Sequence, residues 1–286
     1  MQSRWKIAAA TALFLSPAFA LAADGTFTRN LSVGGPVYLY VDTGSGFIHV
    51  SPASDNQVHI SAHVRAGNGG WGWNSDGGSA EERVKKVLAN PPVQQQGNTI
   101  RIGKQLEVHN LSIDYEITTP AATQVEANSG SGDIRINHIN GGVKAETGSG
   151  SIDASAIGGY VSLETGSGDI RADLVNSHDV RAHTGSGNIR LGNVQGSLKA
   201  DTGSGNVDVS GQPSSPWKLE AGSGNLTLNT GKAGFRLDAE TGSGNVHSDP
   251  PMLTHGNEDH HHITGDVNGG GPIVRAETGS GNINVH

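Results

Sequence analysis

Hydrophobic and polar residues alternate in short runs along most of this chain, and the alternation breaks at the same phrase again and again. Val143-Lys144-Ala145-Glu146-Thr147, Val161-Ser162-Leu163-Glu164-Thr165 and Leu198-Lys199-Ala200-Asp201-Thr202 each precede a break; Asp133-Ile134-Arg135-Ile136, Asn188-Ile189-Arg190-Leu191 and Asn206-Val207-Asp208-Val209 each follow one. Period-two alternation over four or five residues predicts short strands with one buried face. The break itself is Gly-Ser-Gly. Its first glycine falls at 44, 130, 148, 166, 185, 203, 222, 242 and 279, so from Gly130 the steps are 18, 18, 19, 18, 19, 20 and 37 residues. The last step reads as two of ordinary size with one corner missing. A further apolar residue (Ile139, Ile157, Val194) stands shortly before a glycine (Gly141, Gly158, Gly196) and points inward from a third short side.

A fixed short period marks a solenoid, in which each unit buries its apolar face by stacking on its neighbours. The chain is therefore expected to be all-β, a parallel β-helix with coils of 18 or 19 residues, about nine of them over 125–286. The glycines turn the chain at a crowded corner. Stacking at ~4.8 Å aligns Thr147, Thr165, Thr184 and Thr202 in one column and Ser149, Ser167, Ser186 and Ser204 in another. Asn188, Asn206, Asn225 and Asn245 form a third, whose side-chain amides are expected to hydrogen-bond along the stack. Outside, Lys144, Arg181, Lys199, Lys218 and Arg275 stand two residues before Glu146, His183, Asp201, Glu220 and Glu277. A basic column beside an acidic one offsets like-charge repulsion by pairing within and between coils.

Residues 23–124 are less regular. "GPVYLYVDTGSGFIHVSP", "NQVHISAHVRAG", "NTIRIGK" and "LSIDYEITTP" are strand-like, and the first already carries the corner. Ser79 followed by Glu82 is a capping box, with Val84, Val87 and Leu88 on one helical face and a stop at Asn90-Pro91-Pro92. One short helix near 80–89 is expected in this β region, which would start and cap the solenoid of 125–286.

Residues 1–22 combine basic Arg4 and Lys6, an apolar run and small residues at the end, the pattern of a secretory signal peptide cleaved after Ala22 or Ala23, with Ala20 a further option. No other stretch approaches the ~18 apolar residues of a membrane span, so the mature chain is expected to be exported, to the periplasm or the cell surface, with no transmembrane segment. There is no cysteine, hence no disulfide, thiolate metal site or lipid-carrying cysteine. Without Arg4 and Lys6 the chain keeps 17 basic against 27 acidic residues, a net of about −10, which argues against nucleic acid and anionic membranes as partners. Glycine, at 43 of 286 residues, is about twice its usual share, and aromatics are only 5%, so the core is expected to be thin and built of Val, Ile, Leu and Ala.

The leader, "TGSGFIHV" near the start, the short helix, "IDYEITTPAATQVEANSGSGDIRI" leading into the stack, and the tandem V-x-x-E-T-G-S-G-[DN]-I together resemble the bacterial β-strand-repeat proteins known as putative adhesins, a family of unknown function. The likeness covers nearly all of the mature chain. It implies a β-solenoid exported to or displayed on the bacterial envelope, and it carries over no catalytic residues.

Candidate chemistry lies where the repeat breaks. Calcium-binding β-rolls share the coil length, but the position of their acid is held here by Ile134, Ile152, Ile170, Ile189 and Val207, and calcium needs carboxylate oxygens. Phosphate-cradling loops need a helix after the glycines, and strands follow every copy. Columns of Thr suited to a crystal surface would have to face outward, and these precede the corner at an inward position. His247 and Asp249, then His255, Glu258, Asp259, His260, His261 and His262, gather imidazoles and carboxylates able to hold a divalent transition metal such as zinc, copper or nickel; a solvated polar insertion is the competing reading. Trp71 and Trp73, in a glycine-rich loop, either stack on a sugar or partner protein or fold back over the core. No nucleophile elbow, HExxH motif or catalytic cysteine is present.

The chain is therefore expected to be a non-enzymatic interaction or scaffold module whose partner is an unidentified protein or glycan of the cell envelope. Two alternatives stand beside it: a periplasmic metal-binding protein, and a polysaccharide-active β-helix enzyme using paired outer acids. "ETGSGNINVH" stops in mid-pattern, so the last coil is expected to be covered by the His-rich loop, by a partner, or by a second copy in self-association.

Overall fold

The structure, a computed structural model, describes residues 23–67, 79–103, 110–255 and 260–286. The leader, Trp71, Trp73, Glu258 and Asp259 lie outside the described residues. The alternating runs form strands as expected, and the strands stack in parallel into two faces that meet at the Gly-Ser-Gly corner. Val143, Val161 and Val180 stand in register on the first face, as do Ile134, Ile152, Ile170, Ile189, Val207 and Leu226 on the second. Nearly every inward position is fully buried, and Trp217, Tyr115 and Phe235 supply the bulk that an aliphatic core would otherwise lack.

Numbered along the stack, coil 1 consists of Thr99–Ile102 and Leu111–Thr119, and coil 2 of Tyr38–Thr43 and Ile48–Pro52. Coil 3 is Gln124–Ser129 with Ile134–Asn137. Coils 4 to 6 run from Val143–Thr147 through the long strands Ile152–Ser167 and Ile170–Ser186, each of which leaves the second face of one coil and enters the first face of the next, to Ile189–Val194. Coil 7 is Ser197–Ser204 with Val207–Gly211, and coil 8 is Trp217–Ser223 with Leu226–Asn229. Coil 9 is Ile273–Ser280 with Ile283–Val285; coil 10 is Phe235–Thr241 with Val246–Ser248.

Stack order therefore departs from chain order at both ends. Coil 2 is intercalated between coils 1 and 3, and coil 9 between coils 8 and 10. The 37-residue step is not two coils with a lost corner. It is an antiparallel hairpin, Met252–Thr254 with His262–Val267, which pairs along Phe235–Thr241, after which the chain returns into the stack as coil 9. Coils 3 to 10 are eight rather than the nine expected beyond 125. The final strand pair has neighbours on both sides, so the self-association expected through it has no free edge there. At the other end, Gln57–Ala66 pairs antiparallel to Leu111–Thr119, and Ala23–Ser32 antiparallel to Gln57–Ala66. Reversing direction at each end stops parallel growth of the stack.

The helix, Ala80–Ala89, starts at the expected capping box: Ser79 Oγ accepts Glu82 N–H, and the Glu82 carboxylate accepts Ser79 N–H. Its Val84 and Leu88 close over Gly25 on the outermost strand, where an added Cβ would come within 2.6 Å of Leu88 Cδ1. The helix thus lies on the antiparallel sheet that ends the stack.

At the corners, three columns join coil to coil. An added Cβ on Gly150, Gly168, Gly187 or Gly205 would stand 2.0–2.1 Å from the carbonyl oxygen of the equivalent glycine one coil before. Close approach accounts for the glycines even at Gly150 and Gly168, where φ is not in the left-handed region. From coil 4 onward the buried threonines at the corners donate their hydroxyls to such carbonyls: Thr165 to Gly150 at 2.8 Å, Thr184 to Gly168 at 2.9 Å, Thr202 to Gly187 at 3.0 Å. The asparagine column differs from the expected amide-to-amide ladder. Each Oδ1 accepts the backbone N–H of the equivalent residue on the next coil, Asn188 from Asn206, Asn206 from Asn225, Asn225 from Asn282 and Asn282 from Asn245, at 2.8–3.0 Å. Asp133 and Asp169 make the same bond to Ser151 and Asn188, and the N–H of Asn188 holds the Asp169 carboxyl below the usual range. Only an acceptor is needed, so Asn and Asp serve equally.

Accordingly, Asn206→Ala should cost about 1 kcal/mol of unfolding free energy, while Asn206→Asp stays near the native value by denaturant titration. Gly168→Ala, which forces Cβ against a backbone oxygen 2.1 Å away, should cost more, about 3 kcal/mol.

Candidate functional site

Away from the corners, the first face presents outward columns to solvent, and one column has a gap. Tyr38, Gln124, Gly142 and Tyr160 follow one another across coils 2 to 5. Gly142 has no side chain, and its φ of +108° is one that other residues resist. Gly141 beside it is held 2.4 Å, as an added Cβ would see it, from the Thr123 carbonyl. The result is a notch of about 180 Å³ with these two glycines in its floor and Tyr38, Tyr40 and Tyr160 among its walls. Tyr38 and Tyr160 are 44% and 38% exposed, which is uncommon for large aromatic groups.

The walls are backed from outside the notch. The Arg101 guanidinium, on coil 1, lies 4.0 Å from the centre of the Tyr40 ring, and that of Arg181, on coil 6, lies 6.0 Å from the Tyr160 ring. Such cation–π contacts hold an aromatic ring in place with one face covered. Between the walls stand Gln124, Glu126 and Lys144. The Lys144 ammonium donates to Glu146 at 2.8 Å and to Glu126 at 3.4 Å, and the bond to Glu146 above all raises its pKa above that of an ordinary lysine. Lys144 is thus a fixed cation between two carboxylates, and the floor carries donors and acceptors with no net positive charge.

The His-rich segment is divided by the hairpin. His255 Nε2 lies 2.9 Å from Asp266, and His262 Nε2 lies 3.2 Å from Asp238. The backbone oxygens of His260 and His261 accept the N–H groups of Val246 and Thr241, tying the segment to coil 10. His247 and His286 share the Asp249 carboxylate, at 2.7 and 2.6 Å. Among the described residues no three of these side chains are placed so that they could hold a metal ion together. Each described carboxylate here is engaged separately: Arg236 chiefly, then His255, holds Asp266 below the usual range, and His286 and His247 do the same for Asp249.

The intercalated coil also accounts for Asp238, the acid that stands in the basic column. Arg275 on coil 9 lies beside it and donates to it at 3.1 Å. The same order sets Glu220, Glu277 and Glu240 abreast, the first two paired with Lys218 and Arg275 on their own strands.

Sequence reading missed the tyrosine notch. The Gly-Gly pairs at 141–142 and 158–159 before Tyr160 were the available signal, but Tyr38 reaches this column only through the intercalation of coil 2.

The fold is a parallel β-solenoid with an aromatic-lined notch on one face. The chain belongs to the Toastrack DUF4097 family, whose model matches residues 38–184 and again 93–286. Among solved structures, a Bacteroides fragilis protein described as a putative adhesin is 14% identical, with 92% of this chain and 97% of that one covered and a TM-score of 0.46. A Parabacteroides distasonis protein described as a putative lipid binding protein is 15% identical, with 91% and 96% covered and a TM-score of 0.49. A Clostridium sporogenes protein described as a putative cell adhesion protein is 14% identical, with 92% and 99% covered and a TM-score of 0.27. No curated protein matches the chain.

The carboxylates of the C-terminal cap have depressed folded pKa values, so their contribution is present above the unfolded value and is lost as pH falls through the folded one. Hydrogen exchange of the hairpin amides, corrected for its intrinsic dependence on pH, should therefore stay slow at neutral pH and speed up only below about pH 4. Asp266→Asn should speed it at neutral pH.

Proposed function

We propose that this protein is an exported, non-enzymatic recognition and scaffold module of the bacterial envelope, adhesin-like, working in the periplasm or at the cell surface. The observation that carries the reading is the tyrosine notch. It sets exposed aromatic rings around a bare backbone position, beside columns of paired charges, on a stack whose strands are hydrogen-bonded on both sides. Aromatic side chains of this kind supply contact area at little entropic cost.

Several features support the reading. The leader pattern of residues 1–22 ends where the first strand begins, at Ala23. No helix among the described residues is long and apolar enough to cross a membrane. Where carboxyl groups are clearly perturbed they are held down, as at Asp169, Asp249 and Asp266, whereas a general acid at neutral pH needs its pKa raised. The outer acids are instead neutralised by Lys and Arg in the same and adjacent coils.

The full-length chain expressed in a Gram-negative host should be recovered from the periplasm or medium with its N-terminus at Ala23 or Asp24. The purified mature protein should be retained by washed bacterial envelopes without releasing reducing sugar ends from them. An unprocessed cytoplasmic chain would sink the export reading, and release of sugar ends would favour the polysaccharide-active alternative.

A further inference from the structure

We infer that the notch over Gly141 and Gly142 binds a single neutral pyranose ring of a glycan, a reading that rests on the recognition role proposed above. Tyr38 and Tyr160 belong to coils 2 and 5, three strand spacings or roughly 14 Å apart, and the floor between them is backbone alone at Gly142. At about 180 Å³, the notch is smaller than the ~300 Å³ at the lower end of sites for drug-sized ligands. It suits one ring with its neighbours in solvent.

The chemistry of the lining selects among small ligands. Sugar rings present apolar C–H faces and equatorial hydroxyls at once, so they need an aromatic wall beside closely spaced donors and acceptors. Tyr160, braced from behind by Arg181, supplies such a wall, and Glu126, Gln124 and Lys144 supply the polar groups within the same notch. Lys144 already serves Glu126 and Glu146, so a phosphate or carboxylate ligand would find its charge spent and two carboxylates nearby. That disfavours anionic sugars, phosphates and acidic peptides. An extended peptide has no edge to add to, because Gln124–Ser129 pairs with Tyr38–Thr43 on one side and Val143–Thr147 on the other.

Saturation-transfer NMR on the mature full chain, with methyl glycosides of glucose, mannose, galactose and N-acetylglucosamine as probes and methyl glucuronide as the charged comparison, tests this. At least one neutral glycoside should receive saturation, the glucuronide less. Tyr160→Ala should weaken binding roughly tenfold and Tyr38→Ala should also weaken it, both with unchanged melting temperature, while Tyr160→Phe keeps it. Transfer to none of the neutral glycosides, a preference for the glucuronide, or unaltered binding in both alanine variants would overturn the inference. If those variants also remain bound to bacterial envelopes, the sugar site fails while the recognition role stands.

Discussion

Everything in this molecule depends on how closely one corner can lie on the next. The second glycine of each corner approaches the carbonyl of its predecessor so nearly that a methyl group would stand about 2 Å from the oxygen. That approach sets the coil spacing at the corner. The threonine hydroxyl can then reach the same carbonyl, and the Asn or Asp oxygen can reach the next N–H. A larger residue at the corner would pry the coils apart and break both bonds, together with the parallel ladders on either side. The recurrent Thr-Gly-Ser-Gly-[Asn/Asp] is thus a clasp between coils. It is not a ligand motif.

A stack held in this way grows by addition, and an open parallel edge invites further strands. The chain closes both ends by the same device. It lays down one coil beyond the place where the next belongs, fills the gap with a segment from elsewhere in the sequence, and reverses direction outside. The segments that skip a coil are short and tightly bonded: Pro120–Thr123 is fastened by the buried pair Thr119–Thr123, and Thr230 N–H donates to the His286 carbonyl. Intercalation also leaves the C-terminal strands, Ile273–Ser280 and Ile283–Val285, with hydrogen-bonded neighbours on both sides. The histidine-rich segment belongs to this closure: His255 and His262 pair with Asp266 and Asp238, and His247 with Asp249.

Recognition, on this view, is a local exception on a repetitive surface. The ladders outside the solenoid satisfy themselves, Lys144 with Glu146 and Lys218 with Glu220, and so offer a partner little that is unpaired. At Gly142 one side chain is missing, with Tyr160 on one side and Gln124, then Tyr38, on the other. A rigid scaffold holds them there without an ordering cost on binding.

Period-two alternation and the 18- or 19-residue interval were enough to determine the solenoid, the inward positions, the buried threonines and the charge columns, because each depends on a register local to one coil and its successor. The capping box at Ser79 and Glu82 was legible for the same reason: a helix N-terminus is satisfied within four residues. The stacking order at the ends was not legible. Whether coil 10 or coil 9 lies on coil 8 is not set by a register local to one coil and its successor; the 20-residue step before Gly242 was its faint trace in the chain. The notch was half visible. Tyr160 and the glycine pair could be placed by counting, but Tyr38 stands 86 residues from its neighbour Gln124, and only the tertiary structure, by inserting coil 2 between coils that the chain joins directly, brought it to the same column.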